Sequence, residues 1–413
     1  MSKPFGCPPI LAAVLGLLAN LPAQDEGLTR AAAEALVPDL WATYRADQQK
    51  AGADTLPPIE SDVAKAMQPS VLKVGAFEFP YVLLVKGDKP ANGWPLYLCL
   101  HGGGGNGEAK GPHAWQVNDG EWEAQKKLWA RLYPSPGLYF IPRMADDRRG
   151  RWWQDHNQVA FDEVIRKAIL FRDVDANRVY LMGISEGGYG AIRFAGNRPD
   201  RFAATGGMAA AEPLATSPPE NMRNVGLRID IGEQDTMFDR VGLARRMGER
   251  LTALKAADPA GYDFAVHVQS GRGHGIDYSL TPKWLSERVR NPRPSRVTWL
   301  VQRFDSQVAL RQYWLALEAA PAVMPLFVDA AIAGNRLEIH AEVREAGAKL
   351  DGVLVVRLDD RLADLDRPIA IVVNGEERPA QTVVRSRAVM QRTLAERGDA
   401  NACFCAELRV ALH

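Results

Sequence analysis

A single serine stands between glycines in the segment GISEGGYG, residues 183–190. The apolar run RVYLM precedes it, and AIRFAG, which has the pattern of a helix, follows it. Gly183, Ser185 and Gly187 thus form a GxSxG pattern between a predicted strand and a predicted helix, the context in which this pattern marks a nucleophile on a sharp turn. The alternative is a glycine-rich turn with a solvated serine. The context favours Ser185 as a catalytic nucleophile.

A serine hydroxyl attacks a carbonyl only when a base takes its proton and a carboxylate orients that base. Asp235 follows the apolar run GLRIDIG, and His274 follows FAVHVQ between two glycines. This chain order, serine then acid then histidine, is the order expected for a nucleophile on such a turn. We therefore predict Asp235 as the acid and His274 as the base. The alternatives are Glu233 and Asp239 for the acid and His267 for the base.

Charge that develops on the attacked carbonyl needs hydrogen-bond donors. The segment LHGGGGNG, residues 100–107, follows another predicted strand and has the pattern of a loop whose backbone amides bind an oxyanion. We predict donors at Gly103 and Gly104, together with the amide of Glu186 directly after the serine. A glycine-rich loop also suits phosphate, but the sequence has neither the P-loop pattern nor a dinucleotide fingerprint.

A loop rich in tryptophan and charge, RMADDRRGRWWQDHNQ at residues 143–158, should border the same cleft. Aromatic rings can stack on an aromatic acyl group or a sugar face. The substrate-binding candidates are Trp152, Trp153, His156 and Asp147. The alternative is that one tryptophan anchors the loop to the core, since tryptophan is usually well buried.

The elements that carry these residues alternate along the chain. Two β-rich pieces between residues 71 and 86 predict a hairpin. Predicted strands then follow at 95–100, 138–142, 178–183, 202–207, 226–232 and 264–269, alternating with predicted helices at 119–132, 159–171, 187–197, 239–256 and 281–289. This alternation predicts a mostly parallel sheet with helices on both faces, the α/β class. Ligands bind at the carboxyl ends of such strands, where all the candidate residues lie.

The chain of 413 residues is long enough for more than one core. We predict a catalytic domain at 67–291, because the segment NPRPSR at 291–296 is rich in proline and charge and the alternation stops there. A mainly β domain should follow at 296–413, with one helix near 386–397 and a hairpin turn at Asn374–Gly375. A helical segment at 24–66 should precede the catalytic domain.

The first 23 residues have the pattern of a signal peptide: Lys3, then an apolar run, then Ala23 before polar residues. This predicts a secreted or periplasmic protein, and the alternative is a hydrophobic first helix. Lysine plus arginine equals aspartate plus glutamate at 50 each, so no net charge attracts nucleic acid or a membrane surface. The sequence does not indicate an oligomeric state.

Three cysteines remain after residue 23. Cys99 lies in an apolar strand and is expected in the core, and Cys403 and Cys405 are expected to alternate along a strand. No cluster of histidine and cysteine has metal-ligand spacing, so we expect neither a metal site nor a disulfide framework.

The segments HGGGG, GISEGG, GEQD and GHG, in this order and spacing, resemble the α/β-hydrolase superfamily. More narrowly, they are similar to secreted feruloyl esterases, polyhydroxybutyrate depolymerase-like esterases and prolyl-oligopeptidase-like hydrolases, over roughly residues 70–290. The resemblance implies ester hydrolysis through Ser185, Asp235 and His274 without a cofactor. Glu186 departs from the family pattern, where a small or apolar residue is usual. A carboxylate there would oppose the oxyanion, contact substrate or pair with an arginine.

The sequence therefore predicts an exported serine esterase that acts on a small or polymer-linked ester. Two other functions stay open: a peptidase of the prolyl-oligopeptidase type with the same triad, and a non-catalytic binding protein that retains the fold.

Overall fold

An eight-stranded sheet forms the centre of the structure, a computed structural model that describes residues 27–413. The predicted signal peptide lies outside the described residues. The strand order is β1-β2-β4-β3-β5-β6-β7-β8, and the strands from β3 and β4 to β8 run parallel while β1 and β2 form an antiparallel edge. The strands are β1 (Ser70–Val74), β2 (Phe77–Lys86), β3 (Trp94–Leu100), β4 (Gly137–Pro142), β5 (Val174–Ile184), β6 (Ala204–Met208), β7 (Gly226–Gly232) and β8 (Phe264–Gln269).

Helices cover both faces of this sheet, which explains why its central strands are apolar throughout. Strands β3 and β4 are buried at every position. One face packs against the helices α3 (Gln116–Leu132) and α7 (Leu280–Ser286), and the other against α4 (Asp155–Phe171), α5 (Glu186–Asn197) and α6 (Arg240–Ala257). The predicted fold class is thus confirmed. The predicted helix at 281–289 is shorter in the structure, where α7 begins at Leu280 and ends at Ser286.

Residues beyond 295 form a mainly β region with its own core. One sheet has five strands, in the order β18-β17-β15-β14-β9, and another has four, in the order β12-β13-β16-β19. The strands are β9 (Arg296–Val301), β10 (Arg303–Phe304), β11 (Gln307–Val308), β12 (Arg311–Gln312), β13 (Leu315–Leu317), β14 (Leu326–Ala333), β15 (Arg336–Val343), β16 (Val353–Leu358), β17 (Ile369–Val373), β18 (Glu376–Gln381) and β19 (Ala406–Ala411), with helix α8 at Arg387–Arg397.

The cysteines are all buried and free in the described residues. Cys99 lies in β3, as expected. Cys403 and Cys405 do not lie in a strand, because β19 begins only at Ala406 and both residues belong to the turn that leads into it.

The N-terminal helical segment packs in part against the C-terminal β region, although the strands of the central sheet follow it in sequence. It contains α1 (Arg30–Lys50) and the short helix α2 (Val63–Ala66). Ala33 and Leu40 of α1 are buried in the core of the C-terminal β region, and the helix lies against α8. The first helix and the strands beyond residue 295 therefore form one packing unit, and the eight-stranded sheet with its helices lies between them in sequence.

Polar contacts join this unit to the region of the eight-stranded sheet. Arg290 and Asp399 form a buried ion pair at 2.5 Å. The Asn221 side chain bonds the backbone of Leu300 on both sides, accepting from its amide at 2.5 Å and donating to its carbonyl at 3.1 Å. Buried groups of this kind must be paired, so the two domains fit in one arrangement.

Candidate functional site

Ser185 lies on the turn between β5 and α5. Its backbone has φ 52° and ψ −114°, outside the regions that residues other than glycine prefer. Its amide donates to the Met208 carbonyl of β6 at 2.8 Å. A Cβ on Gly183 would lie 2.2 Å from the Gly187 backbone, and a Cβ on Gly187 would lie 2.3 Å from the Leu100 carbonyl oxygen. The flanking glycines therefore make this turn possible, and such strain is typical of functional sites.

The acid and the histidine form a close pair at the carboxyl edge of the same sheet. Asp235 follows β7 and His274 lies in the loop after β8. The Asp235 Oδ2 atom is 2.6 Å from the His274 Nδ1 atom. Asp235 is buried, whereas about half of the His274 side chain is exposed. An aspartate on Nδ1 holds the proton there and leaves Nε2 as the basic nitrogen.

The alternative acids and the alternative histidine are engaged elsewhere. Glu233 accepts hydrogen bonds from Ser270 Oγ and the Gly271 amide, both at 2.9 Å. Asp239 pairs with Arg246 on the surface. His267 lies 2.9 Å from the buried Asp230. The geometry therefore favours Asp235 and His274 over these rivals.

The glycine loop after β3 approaches the serine. A Cβ on Gly102 would lie 3.5 Å from the Ser185 Cβ atom. Gly103 and Gly104 have φ values of 87° and 127°, which favour glycine. Within residues 27–413 the amides of Gly103 and Glu186 have no hydrogen-bond partner. Gly103 is exposed and Glu186 is buried, and the free amides of both residues are available to an oxyanion.

Gly104 does not fit its predicted role as a donor. Its amide already donates to Asn118 Oδ1 at 3.1 Å, and its carbonyl accepts from Asn118 Nδ2 at 3.0 Å. The Asn118 side chain thus bonds both backbone groups of this glycine. It fixes the loop instead of leaving Gly104 free for substrate.

Asp147 was expected to bind substrate, but it lies buried beneath the glycine loop. Its side chain is fully buried, accepts from Asn118 Nδ2 at 2.6 Å and forms a bidentate pair with Arg143 at 2.9 and 3.0 Å. Burial opposes ionisation of Asp147, but hydrogen bonds from Arg143, Asn118 and the Trp115 amide outweigh burial and lower its pKa. Asp147 therefore supports the glycine loop through Asn118.

His101 is a supporting residue that the sequence did not reveal, although it begins the HGGGG segment. It is fully buried, and its Nε2 atom accepts from the Met144 amide at 2.9 Å. Its Nδ1 atom lies 2.6 Å from the Gly102 carbonyl oxygen, so the proton belongs on Nδ1. Burial lowers its pKa to about 4. The neutral ring thus joins the glycine loop to the loop after β4.

The aromatic candidates separate into two buried residues and one at the surface. Trp152 is fully buried and donates from Nε1 to the His101 carbonyl at 3.0 Å, so its ring cannot stack on a substrate. His156 stacks on Phe77 with ring centroids 3.9 Å apart, and burial lowers its pKa to about 4. Trp152 and His156 were expected to bind substrate, but their rings pack inside the protein instead. Trp153 is partly exposed and remains a candidate.

Glu186 forms an ion pair beside the serine. Its Oε2 atom accepts from Arg151 at 2.7 Å, as one of the sequence alternatives expected. The side chain is only 4% exposed, and its Oε1 atom has no partner among the described residues. Burial outweighs the attraction of Arg151 and raises the pKa of Glu186 to about 7. The carboxyl group is therefore only partly charged near neutral pH.

No group of three or more histidine, cysteine, aspartate or glutamate side chains in the described residues could hold a metal ion. Among the helices of residues 27–413, none has the length and apolarity to cross a bilayer.

The sequence matches no protein-family model, and no curated protein matches it. Similar solved structures include a thermostable esterase, at 21% identity and a TM-score of 0.40 over 55% of this chain and 64% of that one. A ferulic acid esterase has 19% identity and a TM-score of 0.36 over 53% and 96% of the two chains. A poly(3-hydroxybutyrate) depolymerase from Bordetella parapertussis has 16% identity and a TM-score of 0.35 over 48% and 79%. The chain thus spans less than two thirds of the thermostable esterase.

The topology of the central sheet and the order of its loops identify the fold. The nucleophile candidate ends β5, the acid follows β7 and the histidine follows β8, in a sheet whose second strand is antiparallel to its neighbours. The residue order and the strand-turn-helix context are those of the GxSxG hydrolases. The chain therefore has the α/β-hydrolase fold, as the resemblance in its sequence predicted.

Proposed function

We propose that this protein is a serine hydrolase that cleaves carboxylic esters. The observation that carries the proposal is the 2.6 Å contact between Asp235 Oδ2 and His274 Nδ1 at the sheet edge where the strained Ser185 lies. Two unpaired amides, of Gly103 and Glu186, supply the donors that an oxyanion requires. Nucleophile, base, orienting acid and oxyanion donors are thus all accounted for by named residues.

The mechanism follows from these roles. His274 Nε2 takes the proton of Ser185 Oγ as the oxygen attacks the ester carbonyl, and the amides of Gly103 and Glu186 bind the resulting oxyanion. His274 then gives the proton to the leaving alcohol, and an acyl-enzyme forms on Ser185. Water attacks this acyl group while His274 takes its proton, and the serine hydroxyl is regenerated with release of the acid.

The Ser185 Oγ atom has no hydrogen-bond partner among the described residues. Catalytic hydrogen bonds are often loose before substrate binds and tighten in the reacting complex. We propose that the bond between Ser185 and His274 forms when substrate is present.

The peptidase alternative finds less support. A peptidase that recognises a substrate amine needs an unpaired carboxylate near the serine. Glu186 pairs with Arg151, and the nearby Glu212 pairs with Arg193 at 2.8 Å. Both buried carboxylates beside α5 therefore already have a cationic partner.

The proposal is tested by fluorophosphonate labelling of the purified protein together with hydrolysis of short-chain nitrophenyl esters, methyl ferulate and matched amides. We expect labelling and ester turnover in the wild type and in Ser270→Ala, an exposed serine of a neighbouring loop. Ser185→Ala should lose both. A folded wild type that neither labels nor cleaves esters would contradict the proposal and favour a binding protein, and amide cleavage at a comparable rate would favour a peptidase.

We further propose export, because residues 1–23 have the pattern of a signal peptide. The test is mass spectrometry of the protein recovered from the periplasm or the culture medium of a bacterial host. A mature N-terminus at Gln24 is expected, and an uncleaved chain confined to the cytoplasm would contradict it.

A further inference from the structure

Arg240, the first residue of α6, lies against the acid and the histidine. Its NH1 atom donates to Asp235 Oδ1 at 2.8 Å and lies 3.4 Å from His274 Nδ1. The side chain is 7% exposed. Burial disfavours the charge of Arg240, but hydrogen bonds to Tyr189 and Asp235 outweigh burial and raise its pKa. A permanent cation is thus buried at the acid.

The two oxygens of Asp235 have different donors. Oδ1 accepts from Arg240 and Oδ2 accepts from His274. A carboxylate bonded on one side only can rotate about its χ2 angle, whereas a second donor fixes its plane. The orientation of the His274 ring depends on that plane, so Arg240 fixes the imidazole through the aspartate.

The same guanidinium reaches the helix that carries the nucleophile. Arg240 Nε donates to the Tyr189 hydroxyl at 2.6 Å. Tyr189 belongs to the first turn of α5, and its amide donates to the Ser185 carbonyl at 3.0 Å. One buried side chain therefore connects the acid loop after β7 with the turn that holds Ser185.

We propose that Arg240 is a positioning residue that holds the Asp235–His274 pair in register with Ser185. This inference rests on the proposed hydrolase function. The arginine does not touch the reacting atoms, so its effect is on geometry. A displacement of about 1 Å at a catalytic group can cost about 100-fold in rate.

The decisive experiment is chemical rescue of Arg240→Ala. We expect kcat for a nitrophenyl ester to fall about 100-fold with KM changed less than about twofold, because substrate binding does not use this residue. Added ethylguanidinium should restore kcat at least tenfold by filling the space that the side chain left. A purely structural role would not be rescued by a soluble cation of this shape.

Two further variants sharpen the test. Tyr189→Phe removes only the bond between α5 and Arg240 and should lower kcat several-fold, which keeps the proposal testable if Arg240→Ala does not fold. Arg246→Ala is the matched control, because Arg246 lies on the same helix and pairs with the exposed Asp239. It should retain full activity.

A turnover-independent measurement separates this inference from the proposed function. The Nδ1 proton of His274, which bonds Asp235, should give a downfield NMR resonance in the wild type and in Ser185→Ala. We expect it to be lost in Arg240→Ala and to return with ethylguanidinium. Unchanged kcat and an unchanged resonance in a folded Arg240→Ala protein would overturn the role of Arg240. Wild-type protein without esterase activity but with this response would contradict only the proposed function.

Discussion

Glu186, directly after Ser185, carries a carboxyl group whose charge is made costly by folding. Its carboxyl group is 4% exposed and has a single ionic partner, Arg151, whose own side chain is 46% exposed. A partly hydrated guanidinium compensates for only part of the hydration free energy that a carboxylate loses on burial. This explains why the pKa of Glu186 rises to about 7 although an arginine is bonded to it.

Stability should therefore depend on pH through this residue. A carboxyl group whose pKa is about 7 when folded and 4.5 when unfolded binds more protons in the folded state between these values, so its contribution falls as pH rises from about 4.5 to 7. Glu186→Gln should remove a cost on the order of 3 kcal/mol at pH 8 and change little at pH 4.5. Urea unfolding at both pH values measures this. Glu249→Gln, an exposed control, should show no such difference, and equal effects of Glu186→Gln at both pH values would contradict the prediction.

At the same scale, residue type and spacing predicted the serine, acid and histidine, because their chemistry requires those types in a fixed chain order. They could not predict that Asp147 and Trp152 point into the protein. Both lie in one loop with exposed residues such as Arg148, and composition alone does not reveal which side chains of a loop turn inward. Asn118 was missed because an asparagine within a helix has no sequence signal for a role in a distant loop.

At the scale of elements, the glycine loop depends on helix α3 for its shape. Asn118, in the first turn of α3, bonds both backbone groups of Gly104, and it donates to Asp147, which is itself paired with Arg143. A loop with many glycines has many accessible conformations in the unfolded chain, so ordering it costs conformational entropy. The hydrogen bonds of Asn118 offset part of that cost.

Asn118→Ala should therefore release the loop that presents the Gly103 amide. We expect kcat to fall about 10- to 100-fold, since loss of one oxyanion donor costs up to about 1,000-fold, with little change in KM. Steady-state kinetics with a nitrophenyl ester check this. Asn106→Ala, in the outer part of the same loop, is the control and should retain activity. An unchanged kcat in Asn118→Ala would show that the loop holds its shape without the asparagine.

The turn between β7 and α6 is strained at two consecutive residues. Phe238 and Asp239 both have φ 56°, and the Phe238 side chain is 73% exposed. A left-handed conformation costs about 1–2 kcal/mol for residues with a Cβ atom. The turn orients α6 so that Arg240, its first residue, meets Asp235.

Glycine at position 238 should thus stabilise the protein. We expect Phe238→Gly to raise Tm by about 1 °C, because relief of the left-handed strain exceeds the added entropy of the unfolded chain together with the loss of the contact between the Phe238 ring and Arg240, 5.3 Å from the ring centroid. Met237→Gly is the matched control: this side chain is 61% exposed but not left-handed, so its replacement should lower Tm. Equal changes in the two variants, measured by calorimetry, would contradict the role of the strain.

Strands were predicted correctly where their burial produces a continuous apolar run in the sequence. The strands that became β3, β5 and β7 were predicted because they are apolar runs bounded by turns. The hairpin turn predicted at Asn374–Gly375 joins β17 to β18, although every residue of β18 is exposed. Strand β14 was missed because alanines and an aspartate weaken its strand signal. Strands β15 and β17 pair in parallel, and the local sequence does not indicate which separate strands will pair.

At the scale of the whole molecule, α1 is the element whose partner the sequence could not indicate. Its periodicity predicted a helix, but not that Ala33 and Leu40 pack among strands near the other end of the chain. Pro38 lies within the helix on its exposed side. The helix is thus held by tertiary packing more than by its own propensity.

Leu40→Ala should destabilise the C-terminal region. The side chain is 4% exposed, so we expect a loss of about 2–4 kcal/mol in the free energy of unfolding. Urea unfolding together with limited proteolysis should show cleavage beyond residue 295 at lower denaturant concentration than in the wild type. Asp39→Ala, on the exposed side of the same helix, is the control. Unchanged protection of the C-terminal region in Leu40→Ala would show that α1 is dispensable there.

The shared core of α1 and the C-terminal strands has a consequence for biosynthesis. Leu40 is made several hundred residues before Leu408 and Leu412, which belong to the same core. Contacts this distant in sequence form slowly, because a very long loop must close first. This core thus stays open until residue 412 has been made, and a nascent chain that stops before that residue would expose an unfinished apolar surface for quality control to recognise.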